Sequence, residues 1–167
     1  MDFRNRYNFV NWGFNVRPTE LQAGFGLEQL KKIDGFNKIR RNNAELLKSV
    51  INKYKPFLSS MKISANVECN WFSFPILISE NSKFSVLDLS RFLEQNGIET
   101  RPIVAGNMAR QLAVKEFDEI EFGDLQGANF VHDYGLYIGI HPKEMSDLVN
   151  LLDKVLAEFF MRRDQFE

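Results

Sequence analysis

The chain has 167 residues, 44% of them hydrophobic, which fits a single globular domain able to bury a real core. Its 21 Lys and Arg against 22 Asp and Glu leave a net charge of −1, so no strong field steers it onto nucleic acid or an anionic membrane. A lone cysteine, Cys69, excludes an internal disulfide, and with only His132 and His141 beside it no zinc-site spacing exists. No apolar run approaches the roughly 18 residues of a membrane span and no signal-peptide stretch follows Met1, so the expectation is a soluble, cytoplasmic protein.

In chain order, residues 1–17 show neither a helical nor a strand period and read as an extended lead-in. A helix is expected to start at Thr19, because Thr19 and Gln22 make a capping-box pattern and Pro18 keeps the residue before it extended. Leu27, Leu30 and Ile33, then Phe36, Ile39, Leu46, Leu47, Val50, Ile51 and Tyr54, recur at helical spacing, which predicts two helices or one kinked near Gly35. Gly24 and Gly26 are costly inside a helix and point to close backbone approach by another element. Lys55-Pro56 ends the helical region. The apolar run Asn70–Ile78 reads as a buried strand, with a bulge or an edge at Pro75.

Ser85 with Asp88 caps a helix carrying Leu89, Phe92 and Leu93, stopped by Asn96-Gly97. A short strand is expected over Ile98–Ile103, short helices within 104–133, and a strand over Gly135–Ile140 that ends at His141-Pro142. Ser146 is expected to cap a last helix with a stripe of Leu148, Leu152, Val155, Leu156 and Phe159. The order implies a small α+β domain with an antiparallel or mixed sheet, preceded by long helices. The count of 16 Phe signals either a large core or a surface meant for a partner.

No phosphate loop, nucleophile elbow, zinc-protease motif or kinase signature is present. Two polar constellations remain. Asn15 and Arg17 would point the same way from an extended segment towards a helix start, a reasonable anion site, although a local cap and a solvated charge are the simpler reading. Glu99 and Arg101 alternate on one face of the expected strand, followed by the Gly106-Asn107 turn and by Gln111. Such a strand end could read hydroxyls and phosphates, while a surface ion pair with a polar turn is the simpler reading. His132 and His141 read most simply as surface or helix-end residues, and Cys69 as a buried apolar one.

Together the segments alter that balance. Gly13-Phe14-Asn15-Val16-Arg17-Pro18-Thr19-Glu20-Leu21-Gln22, running on to Leu30, closely resembles a signature of the DegT/StrS-type sugar aminotransferases, which are fold-type I pyridoxal-phosphate (PLP) enzymes. Thr100-Arg101-Pro102 through Arg110-Gln111 looks like the branch that removes the 3-hydroxyl of nucleotide-linked 4-keto-6-deoxyhexoses; aminotransferases usually carry a His in that stretch. Tyr134 to Pro142 is similar to a third block near the family's C-terminus, so the chain resembles the C-terminal portion of such an enzyme.

The resemblance implies an organisation of 1–18 as a dimer and active-site contact segment, 19–55 as helices linking to a PLP domain, and 56–167 as a small C-terminal α/β domain. It implies a homodimer in which Asn15 reaches the cofactor phosphate of the other subunit and Arg17 its substrate. Glu99 and Arg101, with Asn107 and Gln111 behind them, would then hold the nucleotide-linked sugar. PLP would carry the hard chemistry, with its Schiff-base position, a Lys or in this branch a His, outside this sequence, so that no catalytic residue falls within it. The implied activity is 3-dehydration in deoxy- or amino-sugar synthesis for lipopolysaccharide or another surface polysaccharide, silent in this portion alone. A sugar aminotransferase, or a non-catalytic binding or dimerisation module, is the alternative.

Overall fold

The computed structural model describes residues 7–11, 13, 19–117 and 123–164. Helix α1 spans Glu20–Leu30, and Thr19 caps it as the spacing predicts: its hydroxyl accepts from the Gln22 amide while the Gln22 side chain accepts from the Thr19 amide at 3.0 Å. Helix α2 spans Ile33–Asn52, so there are two helices; the break falls at Lys31-Lys32, and Gly35 lies inside the first turn of α2. Gly24 and Gly26 do not mark a close approach, since a β-carbon at either would meet nothing within 4 Å.

The sheet has four antiparallel strands, β1 (Leu58–Ser60), β2 (Ser73–Ile78), β3 (Thr100–Pro102) and β4 (Gly135–Gly139), in the order β1-β2-β4-β3. β1 lies where the sequence offers no strand period, and it forms because Leu58 and Ile78 pair at the sheet edge and both are buried. Pro75 sits in an interior strand rather than an edge one. It is tolerated because the β1 pairing ends at Ser60 and Ile76, leaving Pro75 a strand partner only in Tyr137.

One face of the sheet makes the core. Phe74, Ile76 and Ile78 alternate inward from β2 and Leu136 and Ile138 from β4. Against them pack α2 through Ala44, Leu47, Val50 and Ile51, α3 (Val86–Gln95) through Leu89 and Leu93, and α5 (Ser146–Asp164) through Leu152, Val155, Leu156 and Phe159. Leu46, expected on the inner face of α2, is exposed instead. Ser85 and Asp88 close the capping box of α3, and Gly97, at φ +84°, makes the left-handed stop. Ser146 is the first residue of α5, and its hydroxyl donates to Glu144.

Across the other face runs α4 (Gln126–Tyr134), which turns directly into β4 at Gly135. A β-carbon there would stand 2.5 Å from the Val131 carbonyl oxygen, so the turn from helix to strand needs glycine. Between β3 and α4 lie two 3-10 turns, Met108–Arg110 and Leu112–Glu116, in the region expected to hold short helices. Among the described residues no helix is long and apolar enough to cross a membrane.

Candidate functional site

The pairing register builds the site on the face away from the core. Arg101 on β3, Tyr137 on β4 and Pro75 on β2 stand in one row across the sheet. Arg101 is turned outward because its neighbour Thr100 is anchored inward: the fully buried Thr100 hydroxyl lies 2.7 Å from that of Ser90 and 3.0 Å from the Glu94 carboxylate, both on α3. Glu99 then faces the same way as Arg101, and the guanidinium donates to one Glu99 oxygen through Nε at 3.0 Å and Nη2 at 2.5 Å. That carboxylate raises the pKa of Arg101 above its ordinary value, so the cation is permanent. Tyr137 meets the Tyr7 hydroxyl at 3.1 Å, and burial followed by that contact pushes its phenol up to about 12.

Glu99, Arg101 and Tyr137 line a cleft of 540 Å³ at the end of the sheet where β2 and β3 begin and β4 ends. Phe72, 80% exposed, and His141, at the end of β4, stand at its border, and α2 reaches it with Arg40. α2 is held there by Asn43, buried one turn further on, whose amide donates to the carbonyls of His141 at 3.1 Å and Lys143 at 2.7 Å. The arrangement offers two guanidiniums, a phenol and one carboxylate, a set suited to an anionic, hydroxylated ligand.

Beside this cleft the 103–111 segment is locked from within. Asn107 is buried: its backbone N–H donates to His132 Nδ1 at 3.1 Å, its Oδ1 accepts from the Ala109 amide, and its Nδ2 donates to Asn129 at 2.8 Å. Gln111, also buried, donates to the Ala105 carbonyl at 2.9 Å and accepts from the Phe9 amide at 3.1 Å. Gly106, at φ +67°, presses on the His132 ring so closely that a β-carbon would lie 2.2 Å from Nδ1.

Of the residues singled out in the sequence, Glu99 and Arg101 come together in the cleft, whereas neither Asn107 nor Gln111 lines it: their amides are bonded inside the chain, and Gln111 borders a separate cavity of 30 Å³ with Tyr7 and His132. Asn15 and Arg17 lie outside the described residues. His132 is a helix-end residue, in the last turn of α4, half-buried and accepting from the Asn107 amide, and Cys69 is half-buried against the core. Sequence reasoning missed Arg40 and Tyr137. The alternation of Leu136, Tyr137 and Ile138 already put Tyr137 on the face opposite the core, but nothing local to Arg40 signals the cleft.

A family model described as the DegT/DnrJ/EryC1/StrS aminotransferase family matches residues 2–155. The chain belongs to this family. Among its relatives, a GDP-4-keto-6-deoxy-D-mannose 3-dehydratase of Yersinia pseudotuberculosis is 34% identical over 93% of this chain and 39% of its own. A protein with the same name from Escherichia coli O55:H7 is 36% identical over 92% of this chain and 39% of its own. A solved structure of the E. coli GDP-4-keto-6-deoxy-D-mannose 3-dehydratase with bound hydrated PLP superposes with a TM-score of 0.76 at 35% identity, covering 90% of this chain and 38% of that one. This family member therefore spans about two-fifths of the length of the relatives it matches.

The described residues of the cleft do not by themselves fit PLP. The cleft contains neither a lysine to carry a Schiff base nor an aspartate to pair with a pyridine nitrogen, and its charged groups are two arginines and one glutamate. Among all described residues no cluster of His, Cys, Asp and Glu is arranged to hold a metal ion. What the cleft offers is a charged, hydrogen-bonding surface at the end of the sheet.

Proposed function

We propose that this chain is the C-terminal part of a PLP-dependent nucleotide-sugar 3-dehydratase acting in deoxy-sugar synthesis for a surface polysaccharide, and that it is inactive by itself. The observation that carries the reading is the 34% identity to a 3-dehydratase over 93% of the chain, within which Glu99 and Arg101 fall together in the cleft. Arg101 holds the sugar or its diphosphate and Glu99 accepts from sugar hydroxyls. Asn107 and Gln111 act on the same ligand by fixing the 103–111 segment beside the cleft. Asn15 and Arg17 reach the cofactor phosphate and the substrate of a second subunit in a homodimer.

The test is to assay the gene product that carries this segment for PLP binding and for conversion of GDP-linked 4-keto-6-deoxyhexoses. The expected result is loss of the 3-hydroxyl, with Arg101→Ala raising KM by about tenfold or more because a charge-assisted contact is removed. The 167-residue chain alone should turn nothing over. A product that neither binds PLP nor alters any such sugar sinks the reading, and transfer of an amino group instead moves it to the aminotransferase branch. A non-catalytic binding or dimerisation module has one observation in its favour, the apolar surface of α1, which buries no residue.

A further inference from the structure

Arg40 is the one polar group of the cleft whose position the fold does not explain. Its Nε is buried without a hydrogen-bond partner, whereas its neighbour Arg41 points to a different cleft and is paired with Glu68 and Asn70. A buried guanidinium N–H left unbonded carries a desolvation penalty, and nothing in the described core gains from it. Packing alone would be served as well by an apolar side chain at this position.

The charges of the cleft point in the same direction. Glu99 faces Arg101 and balances it, so Arg40 leaves a net positive charge in a cavity of 540 Å³, far larger than a single inorganic phosphate needs. Asn43, one turn along α2, pins the helix to the end of β4, so Arg40 is presented from a rigid element rather than a loop. Two guanidiniums lining one cleft from different elements, one on α2 and one on β3, suit two linked phosphates.

Resting on the nucleotide-sugar reading above, we propose that Arg40 is a phosphate-binding residue of this cleft, acting with Arg101 to hold the diphosphate of the substrate.

The first experiment titrates inorganic pyrophosphate into the 167-residue chain by calorimetry, comparing it with Arg40→Gln, Arg40→Lys and Arg41→Gln. The proposal expects Arg40→Gln to weaken pyrophosphate by about tenfold or more, Arg40→Lys to restore part of that loss, and Arg41→Gln to change nothing. Glu99→Gln should tighten binding, because it removes the anion that competes for Arg101. Absence of binding to the parent chain, or equal affinity of Arg40→Gln and Arg41→Gln, overturns the assignment. If Arg40→Gln fails to fold by circular dichroism, Arg40→Lys decides, with a several-fold loss expected and an unchanged affinity refuting it.

A second titration with GDP separates the two readings. Arg40-dependent pyrophosphate binding with no gain from the nucleoside keeps the phosphate site and counts against the nucleotide-sugar reading. Turnover of a GDP-sugar by the gene product with KM unmoved in Arg40→Gln does the reverse.

Discussion

Tyr54 and Tyr137 hold their protons more firmly than a free phenol. Burial first, then the charge and the hydrogen bond of Asp153, push Tyr54 up from 10.0 to about 12, its hydroxyl donating to the Asp153 carbonyl at 3.0 Å; Tyr137 is also raised to about 12. Between the unfolded and the folded value the native state therefore binds more protons than the unfolded chain. The stabilisation is complete below pH 10 and is lost as pH rises towards 12. Urea unfolding should show a falling midpoint across that window, and the double variant Tyr54→Phe, Tyr137→Phe should flatten the fall; an unchanged slope would clear both phenols as its source. At this scale the sequence was legible where alternation alone decides, as for Glu99 and Arg101 around the inward Thr100. It was not legible for His132, which accepts from the Asn107 amide 25 residues away, or for Arg40, which meets the cleft only because α2 packs at the sheet end.

The elements divide by whether local chemistry or distant packing makes them. α1 and α3 begin where their capping boxes sit, since a Thr or Ser and the residue three further on satisfy each other's backbone amides without help from the fold. β1 was invisible because three residues carry no period, and the strand exists only through its register with β2. α1 differs from the helices that pack on the sheet: Leu21, Phe25, Leu27 and Leu30 are all exposed, Phe25 to 70%. Apolar surface of this kind, spread round the helix, drives association when nothing covers it. Phe25→Glu should therefore reduce self-association, read by light scattering during size-exclusion chromatography, while shifting the thermal midpoint by no more than a few degrees. Leu47→Ala, at a fully buried position of α2, should instead cost about 2–5 kcal/mol in urea unfolding. A large loss of stability in Phe25→Glu would show that α1 packs on the core after all.

For the molecule as a whole, the α+β class followed from the order of periodic segments, but the strand order β1-β2-β4-β3 did not, because which strands become neighbours depends on long-range pairing that no short window records. The proposed division into 1–18, 19–55 and 56–167 is one of role, and packing crosses its second boundary: Leu47 and Ile51 of α2 are fully buried in the same core as Ile76 and Leu152. Removing α2 would open a groove along β1, β2 and α5, whereas removing α1 uncovers no core residue. Deleting residues 1–30 should accordingly leave a cooperative urea transition whose midpoint moves only by the few part-buried contacts of the lead-in, such as the Phe9 amide on Gln111. Deleting residues 1–55 should abolish the cooperative transition and expose dye-binding apolar surface, since four core side chains from α2 are lost together. A sharp transition in the 56–167 segment would show that the sheet, α3 and α5 close a core by themselves, and would make α2 a true linker.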